Sequence, residues 1–522
     1  MYKWLNILNW LLFMILITFS FLCVITMPSH PSQLFYGYKD FLLPNFILLL
    51  PAAGLLTVSF LLMKSGKVET WLSANSKWLL PAVLIIYGFT LTIYIMKTVF
   101  NGDWDPMVIH DTSQWLAEDI YNHEYDFYFS RYPNNLMLVW ILTKLTRTTG
   151  VSVVKIGAFA QCMMAVAALA LLYLCARKLF KKSCTCAWIA VIWTLLLTGY
   201  SPWFMIVYSD GMGYVFPVLM LYLYLRILSA RRTECILLSV VLGVVALAAF
   251  RIKPQLVIMF IAILLIRAAA FLTEKRVSIV KSIIMIVFSL SGFCSASLIY
   301  SNQIASSLDI ELNNEMKFGM PHFFMMGLNQ ETRGTFSKDD FDFSAAFSTA
   351  EERNAGDLTR AREKLRKMGV SGLSDHIVQK TRINFGDGTF NWFQEGNFLT
   401  RDEESSQNKL SFFIRKFIVW GNEGFEIYTT FKQIIWLGVL TGILGLWCLR
   451  FKWRSSPIPF GVMMLALSGL IIFELLFEAR ARYLFTYAPV FVLLMCGSLY
   501  NFGFPEGKKI RKNHHLKNAN QQ

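Results

Sequence analysis

Charge is scarce in this chain. Only 16% of its 522 residues are Asp, Glu, Lys or Arg, where a soluble protein carries roughly 25%. Cysteine offers no scaffold either. Cys23, Cys162, Cys175, Cys184, Cys186, Cys235, Cys294, Cys448 and Cys496 all fall in or beside apolar runs, so no structural disulfide is expected in the loops outside the membrane. Cys184 and Cys186 form a C-x-C pair that reads as packing rather than zinc, and no other metal-ligand spacing stands out. There is no short internal repeat. The first apolar run is not followed by a small-residue cleavage site, so it reads as an anchor that stays in place. A soluble enzyme, a disordered chain and a secreted disulfide-rich domain are thereby excluded.

What the chain has instead is apolar residues, 55% of the total, with a mean hydropathy of +0.48. They are gathered into runs long enough to cross a hydrocarbon core of about 30 Å as helices. The expected fold class is an all-α polytopic membrane protein with twelve spans, near 4–27, 41–63, 79–98, 151–176, 184–200, 212–228, 235–251, 255–272, 283–303, 433–449, 457–477 and 483–501. Residues 1–78 supply two spans ahead of a core at 79–303, whose first outer loop is 99–150. A long loop, 304–432, precedes the C-terminal spans at 433–505 and a basic tail at 506–522. Residues 134–147 are apolar but too short to span comfortably, and are expected to lie on the membrane surface as an interfacial helix.

Orientation follows from basic residues in short loops. With the N-terminus inside, the inner segments, including 64–78 and the tail, hold 23 of the 49 Lys and Arg. Both termini are therefore expected in the cytoplasm, in a multi-pass plasma-membrane protein whose chemistry faces outward. The net charge of +15 is scattered over many loops, which argues for topology and lipid headgroups and against nucleic acid. In the long loop, 349–368 has the composition and charge order of a helix, and GDG at 386–388 signals a turn. A small folded lid or domain is expected there.

Seven carboxylates stand in the first outer loop. Glu118, Asp119, Glu124 and Asp126 read as solvated. Asp103, Asp105 and Asp111 follow the third span and flank a Trp-x-Pro turn. Lost solvation at that depth raises a carboxylate's pKa and strengthens it as a base. Asp210 is a lone acid where the sixth span begins, a functional hypothesis by default at such depth; a plain helix N-cap is the bland alternative. Arg251 and Lys253 occupy the turn after the seventh span, and Glu478, Arg480 and Arg482 the turn before the last. These cations either snorkel to the interface or bind an anionic headgroup, since guanidinium and ammonium suit phosphate oxygens. The sum of these features fits transfer of a group from a membrane-embedded phosphate carrier to a hydroxyl.

The order of these strings resembles the GT-C superfamily of polytopic glycosyltransferases. Its members include protein O-mannosyltransferases and lipid A aminoarabinose transferases. The likeness spans roughly 79–500: an Asp-containing first loop, YFSRYPNN at 128–135, ARKLF at 176–180, YSD at 208–210, RIKP at 251–254 and EARARYL at 478–484. With MGLN…G at 326–334, it looks most like members from Gram-positive bacteria. The resemblance implies a polyprenyl-phosphate-linked sugar as donor and an envelope glycan, teichoic acid, lipid or protein as acceptor. It further implies Asp105 or Asp111 as base, with Asp210 assisting. Lys253, Arg251, Arg480 and Arg482 would hold the donor phosphate. Arg131, Tyr132, Asn134, Asn135, Glu478 and Tyr483 would position donor or acceptor. Direct displacement would invert the anomeric carbon. No cofactor is expected to be required; a divalent cation bridging carboxylates and phosphate is the alternative, with hard oxygen ligands only.

Twelve spans also suit a transporter or lipid-linked glycan flippase. Such carriers show two related halves and ionisable residues near the midplane, and neither is evident here. A glycan polymerase or ligase, and a non-catalytic scaffold, are further alternatives.

Overall fold

The computed structural model describes residues 2–27, 41–99, 104–120, 122–273, 279–392, 409–449 and 458–503. Asp103 and the tail at 506–522 lie outside them. Among the described residues the regular structure is helical. Ten helices are long and apolar enough to cross a membrane: Trp4–Ile25, Asn45–Lys64, Gly66–Thr98, Val153–Leu179, Ser209–Ser229, Arg232–Ile252, Ile279–Ser307, Phe425–Cys448, Ile458–Leu476 and Arg482–Gly503. Two shorter apolar helices, Cys184–Gly199 and Pro254–Ala270, fall where the remaining two spans are expected.

One boundary differs from expectation. Residues 64–78 are not a loop: Ser65 alone joins Asn45–Lys64 to the 33-residue helix Gly66–Thr98. Ser65 caps the second helix through Val68 N at 3.4 Å, and Glu69 in its first turn reaches across to a third helix. There the Glu69 carboxylate accepts from Cys184 N at 2.7 Å and Thr185 N at 3.0 Å. An acid is well placed at the free N–H groups that open a helix. Beside this cap Cys184 Sγ lies 3.1 Å from Ser76 Oγ, and the Cys186 thiol points at Cys496 O.

Helices without water to drive them together associate by close packing of small residues. Arg232–Ile252 and Ile279–Ile299 do so face to face. A Cβ at Gly243 would run into the backbone of Ser289, and one at Gly292 into that of Val240. The short helix Cys184–Gly199 is irregular: after Thr194 it widens into a π-turn, Leu195–Gly199. The carbonyls of Leu196 and Leu197 accept from the buried Lys432 ammonium at 2.8 and 3.0 Å.

The loop segments build a separate lobe. Met320–Gly327, Lys338–Ala345 and the run Ala350–Phe385, broken at Gly369 (φ 59°), enclose a small core of Met325, Leu328, Ala361 and Met368. Asp340, fully buried, ties them together by accepting from Lys364 Nζ at 2.6 Å and Asn329 Nδ2 at 2.7 Å. The GDG turn is not part of that surface. Asp387 folds it by accepting from Thr389 N and Asn391 N at 2.8 and 2.9 Å. Phe390 and Trp392 are then driven into the helical bundle, fully buried.

Candidate active site

The helix Asp105–Ala117 opens with Asp105 and Pro106. Proline needs no hydrogen-bond partner there, and a carboxylate suits the positive end of the helix. His110 ties this helix to the bundle. Its Nε2–H donates to Val207 O at 2.7 Å, and burial lowers its pKa to about 4, keeping the ring neutral. Val207 leads directly into Tyr208, Ser209 and Asp210. Gln161, on the neighbouring span, holds this turn: its Oε1 accepts from Tyr208 N at 3.2 Å and its Nε2 donates to Phe204 O at 3.2 Å.

Asp210 is 1% exposed. The Lys253 ammonium donates to its Oδ1, and Arg482 Nε lies 3.9 Å from its Oδ2. Lys253 stands at the break where Arg232–Ile252 ends in extended backbone; Arg482 opens the last span. Two cations from distant parts of the chain thus share one buried carboxylate. Aromatic faces enclose them: Arg482 sits 4.7 Å from the Trp104 ring, 5.5 Å from Tyr208 and 5.9 Å from Trp203, and Lys253 4.5 Å from Tyr483. Cations over aromatic rings retain attraction when stripped of water.

Asp105 joins this group through Tyr208, whose hydroxyl donates to Asp105 Oδ2 at 3.0 Å. Burial first, then the charge of Asp105, holds that phenol well above its ordinary pKa. It is therefore a permanent donor. Tyr128 and Tyr132 flank the same carboxylate and are raised in the same way, by burial and by Asp105. Asn135 Nδ2 donates to Tyr128 OH at 2.6 Å, and Asn134 Nδ2 to Asn135 Oδ1 at 3.2 Å. Asp105 itself is half-buried, so one side stays open.

The remaining predicted residues sort into other surroundings. Asp111 faces Tyr125, whose hydroxyl lies 3.5 Å from Oδ2. Burial raises its pKa, helped by Glu124. Arg251 packs on the Tyr300 ring at 4.3 Å, apart from Lys253. Arg480 pairs with Glu478 at 2.7 Å. Arg131 is caged by Phe127, Phe318 and Phe341 at 5.3–5.9 Å, which makes it a link between the first loop and the lobe.

The lobe grips the turn that carries Glu478, Arg480 and Arg482. Lys380, fully buried, donates to Gly327 O and Leu475 O at 2.9 Å and to Phe477 O at 2.5 Å. Burial pushes its pKa down to about 7 against the pull of Glu474 and Glu478. Ala479 N donates to Gly334 O at 2.7 Å. A Cβ at Gly327 would meet Phe477 O at 2.5 Å, so only glycine permits this approach. Glu474, at the end of the eleventh span, accepts from Arg480 N at 3.2 Å. Sequence reasoning missed Trp104, Gln161, Tyr208, Lys380 and Glu474. Glu474 carried a signal, an acid inside an apolar span. Trp104 and Tyr208 carried only their closeness to Asp105 and Asp210.

A family model described as a conserved hypothetical integral membrane protein matches residues 1–501. The chain belongs to that family. A search of curated proteins finds no match. Among solved structures the chain is similar to ArnT from Cupriavidus metallidurans bound to undecaprenyl phosphate. There the identity is 11% and the TM-score 0.31, over 81% of this chain and 77% of that one. It is also similar to the archaeal oligosaccharyltransferase AglB from Archaeoglobus fulgidus, in complex with an inhibitory peptide and a dolichol-phosphate. That identity is 13% and the TM-score 0.28, over 82% of this chain and 56% of AglB.

Proposed function

We propose that this integral membrane protein is a glycosyltransferase that moves a sugar from a polyprenyl-phosphate carrier to a hydroxyl on an extracytoplasmic acceptor. The observation that carries the reading is the convergence of Asp105 with Lys253 and Arg482 through Tyr208 and Asp210. One half-open carboxylate stands beside two cations fixed by a buried partner. The order of motifs in the sequence supports the same reading.

In the proposed reaction Asp105 takes the proton of the acceptor hydroxyl. The acceptor oxygen bonds to the anomeric carbon as the bond from that carbon to the phosphate oxygen breaks, inverting the centre. The departing polyprenyl phosphate keeps the electron pair, and Lys253 and Arg482 balance its charge. Asp210 holds those cations in register, and Arg480, steadied by Glu478, extends the basic wall. Tyr208 keeps Asp105 oriented. The carboxylates and phosphate present hard oxygen ligands, but the step as written uses only protein cations and needs no divalent ion. The positive bias of the opposite loops supports an outward-facing site and cytoplasmic termini. An envelope glycan or teichoic acid is the acceptor class that the sequence resemblance favours.

The test is transfer of radiolabel from polyprenyl-phosphate sugars to envelope polymer by the purified protein in vesicles, with and without chelator. Label in the polymer under both conditions supports the reading. Donor lipid that crosses the bilayer without transfer identifies a flippase instead.

A further inference from the structure

At the far end of the helix Asp105–Ala117 from the proposed base lies a cavity of about 410 Å³. Its walls come from three places: the C-terminal end of that helix, the helix Leu136–Thr149, and residues 307–309 at the end of Ile279–Ser307. The lining is polar. Arg147 is fixed by Leu116 O at 2.6 Å and by the Asp119 carboxylate. Trp140, Lys144 and Asp309 also line it. The volume falls within the usual range for small-ligand sites, about 300–1,000 Å³.

We infer that this cavity is a saccharide subsite for the acceptor glycan, distant from the bond being made. The chemistry of the walls selects that class. Sugar hydroxyls both donate and accept, and here two carboxylates, Asp119 and Asp309, and two cations, Lys144 and Arg147, line one cavity with Trp140. The cations Lys144 and Arg147 are balanced by Asp119 and Asp309, which suits a neutral glycan and not a polyanion. Trp140, half-buried, offers an apolar ring for the C–H face of a sugar, with a polar edge beside it. The position adds length. Leu116, on the cavity wall, is eleven residues along the helix from Asp105, or roughly 17 Å at 1.5 Å per residue. A glycan occupying both places is an oligomer or polymer. The inference rests on the transferase reading only for the word acceptor; the cavity's affinity for sugar stands independently.

The test uses the full chain in lipid nanodiscs on a printed array of neutral, acidic and phosphate-bearing glycans. Wild type, Trp140→Ala and Lys144→Ala are compared. The expected result is binding of neutral oligosaccharides, weakened about tenfold by Trp140→Ala through loss of the aromatic wall. Length dependence follows, with monosaccharides bound weakly. If wild type binds no glycan, or Trp140→Ala binds as well as wild type, the subsite does not exist. Binding confined to phosphate-bearing glycans and lost in Lys144→Ala makes the cavity an anion site and overturns the assignment. Neutral-glycan binding without sugar transfer leaves the subsite standing and removes the transferase reading instead.

Discussion

Tyr208 and Asp105 are joined by a 3.0 Å hydrogen bond across 103 positions of sequence. Tyr208 is fixed at its backbone by Gln161 and stands two residues before Asp210. The proposed base and the carboxylate that organises the cations are therefore positioned by one short stretch of chain. Tyr208→Phe is expected to keep the fold and lower kcat, with little change in KM for donor. Steady-state kinetics of the purified variant measure the split.

Asp105→Asn is expected to lower transfer by about 10²–10⁴-fold, the usual worth of a general base. Asp111→Asn leaves transfer near wild type, because Asp111 meets Tyr125 and not the cation pair. Radiolabel incorporation, normalised to protein in the membrane, compares them. Equal loss in both would remove Asp105 from its assigned role.

Lys253→Met strips Asp210 of its closest cation at a site where both side chains are nearly inaccessible. Breaking a buried pair from one side costs about 3–5 kcal/mol. Adding Asp210→Asn to the same chain should recover most of that. Thermal unfolding in detergent of the single and double variants reads the difference.

His322 gives the lobe a pH dependence. Its ring is fully buried, with Ser344 Oγ at 2.7 Å and Phe318 stacked against it. Asp340, Arg353 and Lys364 act on it from nearby. Burial lowers its pKa from 6.5 to about 4, so the unfolded lobe binds the proton first and stability falls as pH drops from 6.5 towards 4. The loss approaches about 3 kcal/mol at the bottom of that window. Asp357, raised by burial, works in the opposite direction. Hydrogen exchange of lobe peptides at pH 7 and pH 5, in wild type and His322→Gln, separates the two.

Gly327→Ala places a methyl group 2.5 Å from Phe477 O and 2.8 Å from Leu476 O. The lobe has to move back, at an overpacking cost of about 1–3 kcal/mol, and the turn with Arg480 and Arg482 loses its support. Transfer falls while the spans stay intact. Faster exchange confined to peptides covering 327–334 and 475–482 is the signature; unchanged exchange there would mean that the lobe does not hold the turn.

Much of the membrane architecture was legible because an apolar run longer than a bilayer has few alternatives. Residues 64–78 show where composition and helix bounds part. Lys64, Lys67 and Lys77 resemble a cytoplasmic loop, yet nothing between Gly66 and Trp78 breaks a helix, and only Ser65 turns the chain. Asp210 and Lys253 stood out as charges beside apolar runs, which is costly enough to mark them. Their pairing was not legible, since no spacing rule brings position 210 to 253 and 482. Trp104 and Tyr208 were hidden for a simpler reason. A chain with 15 Trp and 20 Tyr gives no hint which of them will face a guanidinium or a carboxylate.

The bond from Lys432 to the π-turn bears on how the protein is made. A lysine this enclosed would resist leaving the aqueous channel of the insertion machinery if it emerged alone. Its acceptors, the carbonyls of Leu196 and Leu197, are more than 200 positions upstream. Synthesis runs from the N-terminus, so the widened turn that accepts from Lys432 is already made when the lysine is added.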